Sequence, residues 1–303
     1  MNNISNKEKI KEEIDVNTNL QPAIEGTEKK EGEKKLLSPK IDVIFQILFG
    51  EVGSEKITKS FLEAILGKEI KEVDLEGNIV LRRENLEDKM GVLDVLAKIN
   101  DEEYCNIEMQ MVERDKLLER ILYYWAKVYT RNIKKGKDYI VLQKTIEVLI
   151  INFEIKELKE LGYHSKWKII EEKYRKQILT EDLEIHIIEL PKIRELTQQE
   201  SKEELVKWLN FIEEPESEKV VQYMKENEGI KEAKEKLKVM SEDERIQRLA
   251  ELREKAIMDE KAIERFGIKK GIEQTAKKMK EEGLDIELIK RITNLTEEEI
   301  KSL

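Results

Sequence analysis

Cysteine is nearly missing from this chain. Cys105 stands alone among 303 residues, so no intramolecular disulfide can form, and such usage suits a reducing cytoplasm. Long apolar runs are missing as well: no stretch approaches the roughly 18 uninterrupted apolar residues of a membrane span. The first residues, MNNISNKEKIKEEIDVN, lack the apolar run of a secretory signal. A cytoplasmic protein without membrane contact is the expectation. Histidine occurs only at His164 and His186, and a separation of 22 residues is not a metal-ligand spacing, so both are assigned to structure rather than to zinc. Neither a GxxxxGK[ST] loop nor a GxGxxG fingerprint occurs, which argues against P-loop nucleotide hydrolysis and Rossmann redox chemistry.

What is abundant is charge. The chain has 56 basic and 66 acidic residues, a net charge of −10, and only 39% hydrophobic residues. That balance argues against indiscriminate nucleic-acid binding. No segment is a basic arm, so a nucleic-acid contact has to arise from folding that gathers cations onto one face. The length allows one large domain or two modest ones.

Four regions follow from composition and periodicity. Residues 1–35 are polar and rich in Lys and Glu, a disordered or weakly helical tail. Residues 36–195 alternate helical and strand patterns, an α/β layout around a mixed sheet. A first helix begins at LLSPKIDVIFQILFG, with Ser38 as cap, Pro39 in its first turn, and Ile41, Ile44, Phe45 and Leu48 as the apolar stripe. A second spans 54–66 and closes at Gly67. A helix over 114–132 has Leu117, Leu118, Ile121, Leu122, Trp125, Val128 and Tyr129 on its buried side. VLQKTIEVLIINFEI, a largely apolar run rich in β-branched residues, reads as holding a buried central strand. KWKIIEEKY and LEIHIIELP supply further strands. Residues 196–266 are helical and highly charged, the pattern of a solvated arm, with 232–266 as one long run. Residues 267–303 form a small helical unit, with a stop at Gly283 and a capping box at Thr296 and Glu299. The C-terminal helices are candidates for self-association. A helix-turn-helix reading of the last segment is weaker than packing, because its recognition helix would carry Glu297, Glu298 and Glu299.

One pair of strands carries acids where packing residues are usual. In GVLDVLAKIN, alternation sets Leu93, Val95, Ala97 and Ile99 on one face and Asp94 on the other. In EYCNIEMQM, Ile107, Met109 and Met111 share one face, and Asn106, Glu108 and Gln110 the opposite one. The polar link Asn100-Asp101-Glu102-Glu103 predicts an antiparallel hairpin. Pairing centred on Asp101 sets Asp94 opposite Glu108, and a slip of one residue would undo it. Two carboxylates converging on one sheet face suit a hard divalent cation.

The Asp…Glu-x-Gln string, preceded by PKIDVIFQILFG and followed by LLERILYYWAKVY, resembles the PD-(D/E)XK nuclease superfamily. More narrowly it resembles the recombination-promoting nuclease and putative transposase group. The resemblance runs from residue 37 to about residue 192 and continues weakly through GLDIELIKRITNLTEEEI. It implies a PD-(D/E)XK nuclease-like mixed sheet flanked by helices, followed by the charged helical region. It also implies that Asp94, Glu108 and Gln110 are catalytic. Asp94, Glu108 and the Met109 backbone carbonyl would hold Mg2+ or Mn2+, with Asp42 as a further acid. Gln110 stands where the family lysine usually does; it can position water but carries no charge.

The implied activity is metal-dependent DNA endonuclease chemistry of low sequence specificity, with a tie to recombination or mobile elements open. The alternative is a catalytically weak or inactive nucleic-acid-binding or assembly protein on the same fold. Other residues keep two readings. Asp42 also suits a first helical turn electrostatically. Arg120, Tyr123 and Tyr124 face the site or phosphates, or else pack. Arg131, Lys134, Lys135 and Lys137 are the best phosphate contacts in the sequence, although helix C-termini attract cations anyway.

Overall fold

The computed structural model describes residues 35–76, 80–81, 91–92, 94–133, 138–197 and 199–303. The expected tail falls outside these, Lys35 apart. Ile41, Ile44, Phe45 and Leu48 all enter the core, and their spacing brings the chain in as a short helix, α1 (Asp42–Phe45), that widens into a π-helical turn, Gln46–Gly50. Ser38 does not cap it. Its carbonyl instead accepts the Ile41 N–H at 3.2 Å, and Ile41 takes the N-cap position. The fixed φ of Pro39 suits the second position of that β-turn as well as it suits a helix start. Gly50 ends the π turn against the sheet: a Cβ there would lie 3.2 Å from Val95 Cγ2 and 3.3 Å from the Asp94 carbonyl oxygen. Helix α2 (Glu55–Leu66) closes at Gly67, whose φ of +63° lets its N–H reach the Glu63 carbonyl.

Strands β1 (Val73–Glu76), β2 (Val80–Leu81), β3 (Gly91–Val92), β4 (Val95–Ile99) and β5 (Glu103–Gln110) follow. β2 and β3 pair with each other in a small separate ribbon. The expected hairpin joins β4 to β5. Asn100 and Asp101 both have positive φ, which these short polar side chains tolerate better than most, and the Glu102 N–H closes the turn on the Ile99 carbonyl at 3.0 Å. Helix α3 (Leu117–Thr130) crosses to β6 (Thr145–Ile151), and β7 (His164–Trp167) and β8 (Leu183–Glu189) complete the sheet. Its order is β1-β4-β5-β6-β8-β7, with β5, β6 and β8 parallel and the other pairings antiparallel. β6 and β8 are buried at every position, which accounts for the apolar residues of β6, while Thr145 and Glu147 are buried polar groups within it.

The C-terminal half is helical: α4 (Glu204–Glu213), α5 (Glu218–Glu226), α6 (Glu228–Glu242), α7 (Glu244–Glu281), α8 (Ile286–Thr293) and α9 (Glu297–Ser302). Charge patterning leads to the expectation of a solvated arm, yet α4 buries Leu205, Trp208, Leu209, Phe211 and Ile212. Trp208 packs against Phe49 and Phe61, with ring centroids 5.8 and 5.2 Å away. A few large apolar side chains on one stripe outweigh a high overall charge count, because burial energy scales with apolar area. The long run expected over 232–266 is broken at Asp243, whose carboxylate caps the N–H groups of Arg245 and Ile246 and starts α7. The capping box at Thr296 and Glu299 forms as expected.

Helices cover both sheet faces. α1, α2, α4 and α6 share one core with Val95, Ile107 and Val148, while α3 supplies Leu117 and Ile121 to a second core with Leu149, Ile151 and Ile185. Leu118 and Leu122, expected to be buried, are exposed because the apolar stripe of α3 is narrower than its composition suggests. Among the described residues no helix is long and apolar enough to cross a membrane.

Candidate active site

The β4–β5 register pairs Val95 with Ile107 and Ile99 with Glu103. One step further along it, Asp94 falls beside Glu108. Asp94 stands just before β4 rather than inside it, so its carboxylate replaces ladder contacts: Oδ2 accepts the Met109 N–H at 2.8 Å, and Oδ1 accepts Gln46 Nε2 at 2.8 Å. Leu93, its expected neighbour on the opposite face, lies outside the described residues. Burial raises the Asp94 carboxyl to about 6 against the pull of these two donors, and the charge of Asp42 adds to the rise.

Glu108 lies deeper in the same electrostatic problem. Burial first, then the neighbouring Asp94, raises its carboxyl to about 8. Asn106 Nδ2 donates to Glu108 Oε1 at 3.1 Å and to Glu147 Oε1 on β6 at 2.8 Å. Burial and then the charge of Glu108 raise Glu147 well above the carboxylate range. Among the described residues Glu147 Oε2 and Asn106 Oδ1 are buried acceptors without a partner, and a proton retained on Glu147 supplies a donor there.

Asp94 and Glu108 open into a cavity of about 210 Å³ that Asp42, Gln110, Arg120 and Arg253 also line. Asp42 accepts Arg253 Nε on both oxygens, at 2.8 and 2.6 Å, and the Val43 N–H on Oδ1 at 2.8 Å. Gln110 turns its amide away, with Nε2 donating to the Val112 carbonyl at 3.0 Å. Across the opening, Arg114 pairs with Glu260 of α7 at 3.1 Å.

The structure thus brings Asp42, Asp94, Glu108, Met109 and Gln110 together, as the sequence reading anticipates. Arg131 is elsewhere. It pairs with Glu76 and its guanidinium stands 4.9 Å from the centroid of the Tyr104 ring, so its charge is already committed. Lys134, Lys135 and Lys137 lie outside the described residues. Sequence reasoning passed over Gln46, Glu147 and Arg253. Gln46 had a signal, four residues after Asp42 on one helical face; Arg253 had none. The histidines, widely spaced in sequence, meet across β7 and β8: His164 Nε2 and His186 Nδ1 are 2.7 Å apart, and His186 Nε2 contacts Glu184 at 2.8 Å.

Among the described residues no three His, Cys, Asp or Glu side chains form a ready-made metal cluster. Asp94 and Glu108 offer hard carboxylate oxygens at the cavity, and such donors suit a cation that keeps several of its waters. Two carboxylates pressed together under burial also gain from a cation between them.

A family model described as PD-(D/E)XK nuclease family transposase matches residues 39–265. No curated protein and no solved structure matches the chain. The matched span takes in the acids of the β4–β5 hairpin and also Arg253 and Glu260 on α7. The chain therefore belongs to the PD-(D/E)XK nuclease family transposases, a group of nuclease-like proteins whose wider superfamily works with divalent metal ions.

Proposed function

We propose that this protein is a DNA endonuclease that hydrolyses phosphodiester bonds with low sequence specificity in the presence of Mg2+ or Mn2+. The observation that carries the reading is the β4–β5 register, which sets Asp94 beside Glu108 at one cavity with cationic side chains on its wall. Asp94, Glu108 and the Met109 carbonyl would hold the ion, which when bound acidifies a water and neutralises charge on the phosphate. The chain's own residues do the rest. Gln46 and the Met109 N–H fix the Asp94 carboxylate, Asn106 orients Glu108, and Arg253 holds Asp42 as an electrostatic neighbour rather than as a free ligand.

Plasmid DNA incubated with the purified protein and magnesium should be nicked or cut, and Asp94→Asn or Glu108→Gln should abolish cutting. Cleavage surviving both substitutions sinks the assignment. A second reading, a nucleic-acid-binding protein whose chemistry has faded, draws support from Gln110, whose side-chain N–H donors lie on a neutral amide turned toward Val112. Salt-sensitive DNA binding with no cleavage across several metals would favour it.

A further inference from the structure

The strand position that usually holds a lysine holds Gln110, so the site needs its positive charge from another element. Three guanidinium groups line the cavity. Arg253 is closed on Asp42 and Arg114 on Glu260. Arg120 differs from both: among the described residues it makes no ion pair. Its guanidinium carbon stands 5.8 Å from the centroid of the Tyr124 ring, one helical turn along α3, an attraction that leaves its charge unneutralised by any carboxylate in contact among the described residues. Its charge also acts on Glu108 through space, opposing the rise in that carboxyl.

We propose that Arg120 supplies the cation that Gln110 lacks, contacting a phosphate of the bound DNA strand beside Asp94 and Glu108. The inference rests on the nuclease reading. In the reaction a water oxygen bonds to phosphorus and gives one proton to bulk water. The opposite P–O bond breaks, and the leaving oxygen departs with the bonding pair and takes a proton from bulk water. Arg120 moves no proton. Its fork of donors matches two phosphate oxygens, and it stays charged throughout, so it offsets the negative charge that builds on them.

The test uses the full chain and three variants, Arg120→Gln, Arg120→Lys and the double variant Arg120→Gln/Gln110→Lys, each checked for a parental unfolding midpoint. Arg120→Gln should lower the rate of magnesium-dependent plasmid cleavage by about 100-fold. Arg120→Lys should keep part of the rate, and the double variant should regain about tenfold over Arg120→Gln by returning a cation to the strand. Parental cleavage by Arg120→Gln overturns the proposal; so does a loss that neither lysine relieves. Binding gives a second, cleavage-free readout. In an Asp94→Asn background, adding Arg120→Gln should make the slope of log affinity against log salt shallower by about 0.9 for duplex DNA, the signature of one lost phosphate contact. If the parent fails to cleave with any divalent metal, the nuclease reading falls. The salt slope then decides Arg120 alone: a shallower slope supports the phosphate contact, and an unchanged one overturns it.

Discussion

Arg253 grips Asp42 from 211 residues further along the chain, with Nε 2.8 and 2.6 Å from its two carboxylate oxygens. The contact ties α7 to α1 at the cavity wall. Arg253→Ala should lower stability by roughly 1.5–3 kcal/mol, the range for hydrogen bonds to a charged group. Urea denaturation of Arg253→Ala, Asp42→Asn and the double variant checks it. Losses that simply add would show the two residues to be uncoupled; a coupling of about 1 kcal/mol or more is expected for residues in contact.

Acid–base behaviour gives a second prediction. In the folded, metal-free chain Glu108 holds its proton to about pH 8, against an ordinary value of 4.5, chiefly through burial. The folded state therefore binds more protons than the unfolded state between those values, and stability falls as pH rises through that window. Asp94, raised from 3.8 to about 6, acts in the same direction at lower pH. Glu108→Gln should flatten the dependence, so that the variant gains on the parent as pH approaches 8. Unfolding curves at a series of pH values with a chelator present measure this, and parallel parent and variant profiles would refute it.

A scaffold prediction concerns Glu184, whose side chain is only 4% exposed while it contacts His186 at 2.8 Å and Lys166 at 2.7 Å, with Lys144 at 3.3 Å. Burial pushes this carboxyl up, but the bonds from His186 and Lys166 and the charge of Lys144 win, and it is held well below the usual range. Glu184→Gln leaves Lys144 and Lys166 without their anion and should cost roughly 1–3 kcal/mol, since both lysines keep part of their hydration. The residue does not line the cavity, so DNA cleavage at low temperature should stay at the parental level. A large fall in cleavage with little change in melting would contradict this division of roles.

Helix packing supplies the fourth. A Cβ on Gly229 of α6 would stand 2.5 Å from both Cβ and Oγ of Ser60 on α2. Gly229→Ala should destabilise by about 1–3 kcal/mol through overpacking, and Ser60→Gly in the same chain should restore much of the loss. Thermal melts of the single and double variants decide it; an unshifted melting point for Gly229→Ala would show that the two helices can separate freely.

The legible part of this protein is the part with short periods. Alternation in β4 and β5 and the polar Asn100–Asp101 turn contain both the register and the meeting of Asp94 with Glu108. Gly67 and the Thr296–Glu299 box announce their helix ends because capping is chemistry between near neighbours. Contacts between distant segments leave no such trace. Arg253 looks like any other charge on a helix of charges until α7 lies over α1. Arg131 looks like a free phosphate contact until Glu76 and Tyr104 occupy it. The two histidines appear unrelated by spacing, yet antiparallel pairing of β7 with β8 brings their rings together. The charged region conceals Trp208 and Phe211 for a similar reason: a stripe of a few residues decides burial, while composition averages it away.

The distance along the chain between Asp42 and its partner also sets an order of events during synthesis. Asp42, Asp94 and Glu108 leave the ribosome well before α7, because synthesis runs from the N-terminus. A nascent chain therefore carries its acids while Asp42 still lacks its counter-cation and the wall formed by Arg253 and Glu260 has yet to be made. The cavity becomes complete only once α7 has been made, so the timing of synthesis itself keeps an unfinished polypeptide from presenting a finished site.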